Sequence, residues 1–174
     1  MKDRTDESGR PAVSTLAAVC GLFCEGCSIF IASQEDPERL ALLAARMGWS
    51  VGETYCDGCR AERRTVYCRS CTMFACAAER GLAFCNECDE YPCEDFRAFG
   101  AERPHRADIE KDLARIGEIG AEVWMDEMRR RYACPACGAI NSAYDLKCRR
   151  CGHEPGNAFV EEHREAIVAR LSQL

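Results

Sequence analysis

The chain has 174 residues, a net charge of −6 and fifteen cysteines. Its apolar fraction of 47% counts those cysteines; without them roughly 38% remains, lean for a conventional core, so metal or disulfide staples are expected to supplement it. The longest apolar run, around Leu16–Val19, falls far short of the ~20 residues of a membrane span. The acidic balance gives no general attraction to nucleic acid or an anionic membrane.

Residues 1–11 are polar and are expected to form a disordered tail. The run Val13–Cys20 is too short for a signal-peptide core, and Asp3, Asp6 and Glu7 spoil a basic leader. A lipoprotein site would want a small residue before Cys20, where Val19 stands. This run is read as a first strand entering a ligand turn. With no export signal the expected location is cytoplasmic, where reduced cysteines favour metal over disulfides. An odd cysteine count points the same way.

Asp36-Pro37-Glu38 opens a helix: an N-cap, a proline at the first position and an acid in the first turn. Leu40, Leu43, Ala44 and Met47 then share a face until Gly48. Between Tyr55 and Cys93 cysteines are so dense that metal must set the fold, with one short helix from Thr72 to Arg80 closed by Gly81. Pro104 to Arg131 reads as helix, divisible at Gly117 or Gly120, with Ile109, Leu113, Ile116, Gly120, Val123 and Met128 near helical spacing. Ala158 to Leu171 is a closing helix with Val160, Ile167 and Leu171 inward.

The expected fold class is a small metal-stapled α+β protein. Its parts are a tail (1–11), an irregular zinc-finger-like cysteine-rich domain (12–100), a helical connector (101–131), a zinc ribbon (132–155) and a C-terminal helix (156–174).

The ribbon carries the strongest signal. Cys134-Pro-Ala-Cys137 and Cys148-Arg-Arg-Cys151, ten residues apart and each followed by glycine, make two C-x2-C knuckles. Each glycine permits the tight turn that aims N–H groups at thiolate sulfur. Four thiolates close a tetrahedron and leave no position for substrate, so this site reads as structural zinc.

The other eleven cysteines are Cys20, Cys24, Cys27, Cys56, Cys59, Cys68, Cys71, Cys76, Cys85, Cys88 and Cys93. Cys68–Cys76 and Cys85–Cys93 share a C-x2-C-x4-C spacing, each after an aromatic residue, and Tyr55-Cys-Asp-Gly-Cys59 resembles a truncated copy. The preferred arrangement places Cys56, Cys59, Cys68 and Cys71 in one site and Cys76, Cys85, Cys88 and Cys93 in another. Cys20, Cys24 and Cys27 are then one ligand short, with His105 a candidate to supply it. A cross-braced pairing of the knuckles fits equally well. The expected load is about three zinc ions.

Cys20-Gly-Leu-Phe-Cys24-Glu-Gly-Cys27 also has the C-x3-C-x2-C spacing of radical enzymes, but nothing in the chain supplies the β/α units that wrap their cofactor. An iron–sulfur cluster completed by one more cysteine is the alternative cofactor. No P-loop, dinucleotide glycine pattern or nucleophile elbow occurs, so no catalytic residue is assigned.

These motifs resemble those of small cysteine-rich bacterial and archaeal proteins grouped as a domain of unknown function. The resemblance is carried by Cys20-Gly-Leu-Phe-Cys24-Glu-Gly-Cys27, Cys56-Asp-Gly-Cys59, Tyr67-Cys68-Arg-Ser-Cys71 and Cys85-Asn-Glu-Cys88-Asp-Glu-Tyr-Pro-Cys93, and extends through Gly120, Trp124 and Arg131–Cys137 to span residues 19–152. It implies a zinc-binding fold without an agreed activity. The last module is also similar to zinc fingers of the Ran-binding-protein class through C-x2-C-x3-N-x6-C-x2-C with Asn141, although Tyr132 replaces their tryptophan. Those fingers bind ubiquitin or single-stranded RNA. Arg129, Arg130, Arg131, Lys147, Arg149 and Arg150, with Tyr132 and Tyr144, could hold single-stranded nucleic acid. The leading expectation is a multi-zinc binding or adaptor protein docking on a protein partner.

Overall fold

A computed structural model describes residues 13–173; the expected tail at 1–11 lies outside them. Among the described residues the architecture is helical. Ten α-helices are present: α1 Ser28–Glu35, α2 Pro37–Met47, α3 Val51–Thr54, α4 Val66–Arg69, α5 Thr72–Glu79, α6 Glu94–Ala101, α7 Ile109–Ile119, α8 Ala121–Tyr132, α9 Ala158–Glu162 and α10 Arg164–Leu171. Short 3₁₀ turns cover Cys24–Gly26, Cys85–Glu87 and Pro104–Arg106. No described helix is long and apolar enough to cross a membrane.

The α+β expectation is therefore corrected, because the only strand-like pairings among the described residues are two isolated bridges, Ala17 with Phe23 and Ala133 with Ile140. The run before Cys20 is not a strand. Its backbone is satisfied by turns, Ala17 N–H to Ser14 (3.1 Å) and Ala18 N–H to the Leu22 carbonyl (3.1 Å). The last module likewise lacks ribbon strands. Its linker is pinned as a turn by Asp145, whose carboxylate accepts from the Ser142 N–H at 2.7 Å.

Helix α2 forms as its signals dictate. Asp36 accepts from the Arg39 N–H, Pro37 follows it, and Gly48 closes the helix at φ +71°. Leu40 and Ala44 are buried. Helix α5 ends one residue before the expected Arg80, with Gly81 beyond it. The predicted helix from Pro104 divides at Gly120 (φ 81°, ψ 157°), which resets the helical phase. Val123, in register with Ile109 and Ile116 had the helix continued, is 52% exposed, while Trp124 and Met125 turn inward. The closing helix breaks at His163 (φ −113°), yet Val160 and Ile167 remain fully buried.

One core unites both ends of the described chain. Trp124, Leu113, Phe159, Phe96 and Phe84 meet Ala17–Cys20 and Phe23. Phe23 packs edge-on to Trp124 (6.2 Å) and tilted against Tyr132 (5.2 Å), and Tyr132 stacks on Phe159 (5.2 Å). Gly26 makes this approach workable: a Cβ there would lie 2.6 Å from the Tyr132 ring. Phe84 and Phe96 are buried, with Phe74, Tyr91 and Phe99 packed around the same core.

Candidate metal centres

The four cysteines of the last module converge. Cys134 Sγ lies 3.7 Å from Cys151 Sγ, and Cys137 Sγ 3.6 Å from Cys148 Sγ. All four sulfurs lie within 4.8 Å of one another. Tetrahedral thiolates at a metal–sulfur distance of ~2.3 Å stand roughly 3.8 Å apart, so the set fits one ion with little movement.

The two knuckles share one geometry. Ala136 N–H donates to Cys134 Sγ and Arg150 N–H to Cys148 Sγ, both at 3.4 Å. Gly138 and Gly152 return to the Cys134 and Cys148 carbonyls at 2.9 Å each. They do so at φ +73° and +75°, a region costly for a side chain. Cys134 and Cys148 are buried while Cys137 and Cys151 face outward. Burial pushes the Cys148 thiol up, but N–H groups of Cys151 and Arg150, with Asn141 and Cys137, outweigh it and hold it down at about 6.

Two buried asparagines lock this module to the fold. Asn141 donates to the carbonyls of Ala139 (2.9 Å) and Gly156 (3.0 Å) and accepts from Arg149 N–H (2.9 Å). Asn157 caps α9 through Val160 N–H (2.8 Å) and donates to the Asn141 and Ser142 carbonyls. The resemblance singled out Asn141. Asn157 was not expected, although an Asn directly before a helix is an ordinary N-cap signal.

The eleven body cysteines lie along one continuous region but are gathered more loosely: among the described residues, only the last module brings three or more thiols within 4.8 Å. Cys27, Cys71 and Cys93 are the N-caps of α1, α5 and α6, and burial pushes the Cys27 thiol up. Cys24 and Cys85 open 3₁₀ turns that close on Cys27 (2.9 Å) and Cys88 (3.2 Å). Gly58 N–H reaches Cys56 Sγ at 3.4 Å, repeating the knuckle bond of the last module.

Thiol neighbours cross between knuckles. The Cys68 thiol beside Cys56 holds it down at about 6. Cys59 is pushed up by burial and has Cys71 as a charged neighbour. Cys85, pushed up to about 12 by burial, has Cys76, Cys93, Cys71 and Cys88 around it. The two C-x2-C-x4-C copies are built differently: Cys76 lies inside α5, whereas Cys93 precedes α6.

Arginines attend these thiols in an acidic protein. Arg80 Nη1 donates to Cys88 Sγ at 3.2 Å. Arg60 is clamped by the carbonyls of Ala17 (2.8 Å) and Ala83 and bears electrostatically on Cys59, Cys24 and Cys20. Arg64 stacks over Phe74 at 4.1 Å. Its Nε and Nη1 are buried without a hydrogen-bond partner. Nitrogens so placed are costly, and Cys59 is the thiol on which the Arg64 charge acts.

Other candidates resolve into structural networks. Asp108, Glu162 and His163 lie close enough to hold an ion, but Arg131 already occupies their centre, 2.6 Å from Asp108 Oδ2 and paired with Glu162. His163 Nε2 meets the same Asp108 oxygen at 2.7 Å. His105 Nδ1 pairs with the Tyr144 hydroxyl at 2.7 Å and burial holds it down at about 3, so it joins no thiol here. Of the cations near the last module, Arg129 binds Glu25, Arg131 binds Asp108, Lys147 binds Glu154 and Arg149 binds Glu35. Tyr132 is buried in the core.

Residues 16–98 match the family described as "Protein of unknown function (DUF3795)", a match confined to the cysteine-rich body. No curated protein and no solved structure matches the chain.

Proposed function

We propose that this is a multi-zinc binding or adaptor protein whose metal sites are structural and whose surface docks on a partner protein. The observation that carries the reading is the closed four-thiol set at Cys134, Cys137, Cys148 and Cys151, with sulfurs 3.6 and 3.7 Å apart. Such a set leaves no position for substrate. The remaining cysteines would extend this stapling to the turn before α1, with Cys20, Cys24 and Cys27, and to the loops between α3 and α6. Zinc is favoured by the knuckle geometry and by the all-thiolate donor set, which also suits iron–sulfur chemistry.

Docking on a partner is supported by Leu42 and Val51, 71% and 48% exposed on helices that follow one another in the chain. Metal analysis and the visible spectrum test the zinc assignment: colourless protein with bound zinc is expected, and a brown iron-bearing chain would replace it with the iron–sulfur reading. A paired capture experiment tests docking. Leu42→Asp with Val51→Asp should lose a partner held by the natural chain while keeping its metal.

A further inference from the structure

A cleft of about 510 Å³ lies between α6, the turn Pro104–Arg106, the start of α7 and Ala166 of α10. No cysteine lines it, so it is separate from the metal centres. Its volume falls within the ~300–1,000 Å³ of small-molecule sites. Phe96 and Ile109, both buried, supply an apolar lining, and Gly100, Ala101 and Ala166 add no bulk to the walls.

The charges around the cleft do not balance. Arg97, Arg103 and Arg106 face Glu102 and Glu110, three positive groups to two negative, in a chain of net charge −6. Arg106 is only 4% exposed and is rigidly held. Its Nη1 donates to the Phe99 carbonyl (3.0 Å) and to Glu102 (2.6 Å), its Nη2 to the Tyr67 hydroxyl (2.6 Å), and the guanidinium stacks over the Phe99 ring at 3.7 Å. Its Nε is buried with no hydrogen-bond partner.

Glu102 also meets Arg103 Nε at 3.3 Å, so one carboxylate serves two guanidiniums. Arg106 holds that carboxylate at the shorter distance, and Arg103 keeps both Nη groups for a ligand. Arg97, exposed on α6, has no ion-pair partner among the described residues. The excess positive charge beside an apolar wall is screened less than it would be in open water.

We propose that this cleft binds a small organic monocarboxylate, its carboxylate on Arg97 and Arg103 and its apolar part on Phe96 and Ile109. An excess of one positive charge suits one negative charge. A phosphate dianion would overcharge the cleft and meet Glu110 as a like charge. The planar fork of arginine fits a carboxylate with two parallel bonds. The site owes nothing to the metal reading and stands or falls apart from it.

Isothermal titration calorimetry on the full-length protein tests this with benzoate and hexanoate, set against benzamide and inorganic phosphate. At least one of the two carboxylates should bind saturably, one per chain, with benzamide and phosphate weaker by about tenfold or more. Arg97→Gln should weaken that binding about tenfold by removing a charged hydrogen bond. Ala166→Phe should abolish it by filling the cleft. Both positions are exposed, so metal content and Tm should match the natural chain. Should one variant fail to fold, the other still decides. Binding of neither carboxylate, benzamide or phosphate binding as tightly, or affinity unchanged in either folded variant would overturn the proposal.

Discussion

At the scale of single residues, the fold depends on small groups in tight places. Gly26 sits under the Tyr132 ring, so Gly26→Ala forces a clash at 2.6 Å and should cost about 1–3 kcal/mol, read as a lower Tm. Asn141 satisfies two carbonyls and one N–H in a fully buried position. Asn141→Ala leaves those groups unpaired and should cost about 2–3 kcal/mol. It should also make the last module release its metal to chelator faster, and unchanged release would disconnect Asn141 from the centre. Little of this was legible beforehand. The glycine of Cys24-Glu-Gly-Cys27 looks like a knuckle residue in the sequence, yet Gly26 answers to an aromatic ring more than a hundred residues away.

At the scale of elements, local signals read correctly where they were complete. Asp36-Pro37 and Gly48 bound α2 because cap, proline and left-handed glycine act within the helix itself. The strand expectation failed because an apolar run of Val13–Cys20 cannot by itself say whether its backbone finds a ladder or a turn. The inward face of α8 failed at a single point, since Gly120 shifts the phase that Val123 would otherwise keep. The cysteine spacings identified the four-thiol module, whereas neighbours among the body thiols follow from tertiary packing that no spacing encodes.

Helix pairing also carries a pH prediction. Burial between α7 and α8 pushes Asp112 up to about 6, although Trp124 Nε1 donates to it at 3.3 Å. A raised carboxyl stabilises the fold below its unfolded pKa near 3.8 and loses that contribution as pH rises through about 6. Asp112→Asn should therefore be more stable than the natural chain at pH 8 by about 1 kcal/mol. The advantage should shrink towards pH 4, checked by denaturant unfolding at both values.

At the scale of the whole molecule, the four-thiol module and the apolar core are parts of one structure. Arg149–Glu35 and Arg39–Asp145 tie the last module to α1 and α2, and Ala143 enters the main core. Helices as short as α3 and α4 cannot persist alone in water. Chelation should therefore remove helical circular dichroism cooperatively, with recovery on adding zinc, because metal-binding free energy is folding free energy in such a chain. Retention of full helicity without metal would show that the apolar core suffices.

Metal content per chain, measured on protein purified without oxygen together with its visible spectrum, tests the central claim most directly. The account predicts a colourless chain carrying several equivalents of zinc. A brown chain rich in iron, or one holding less than a single metal ion, would contradict it.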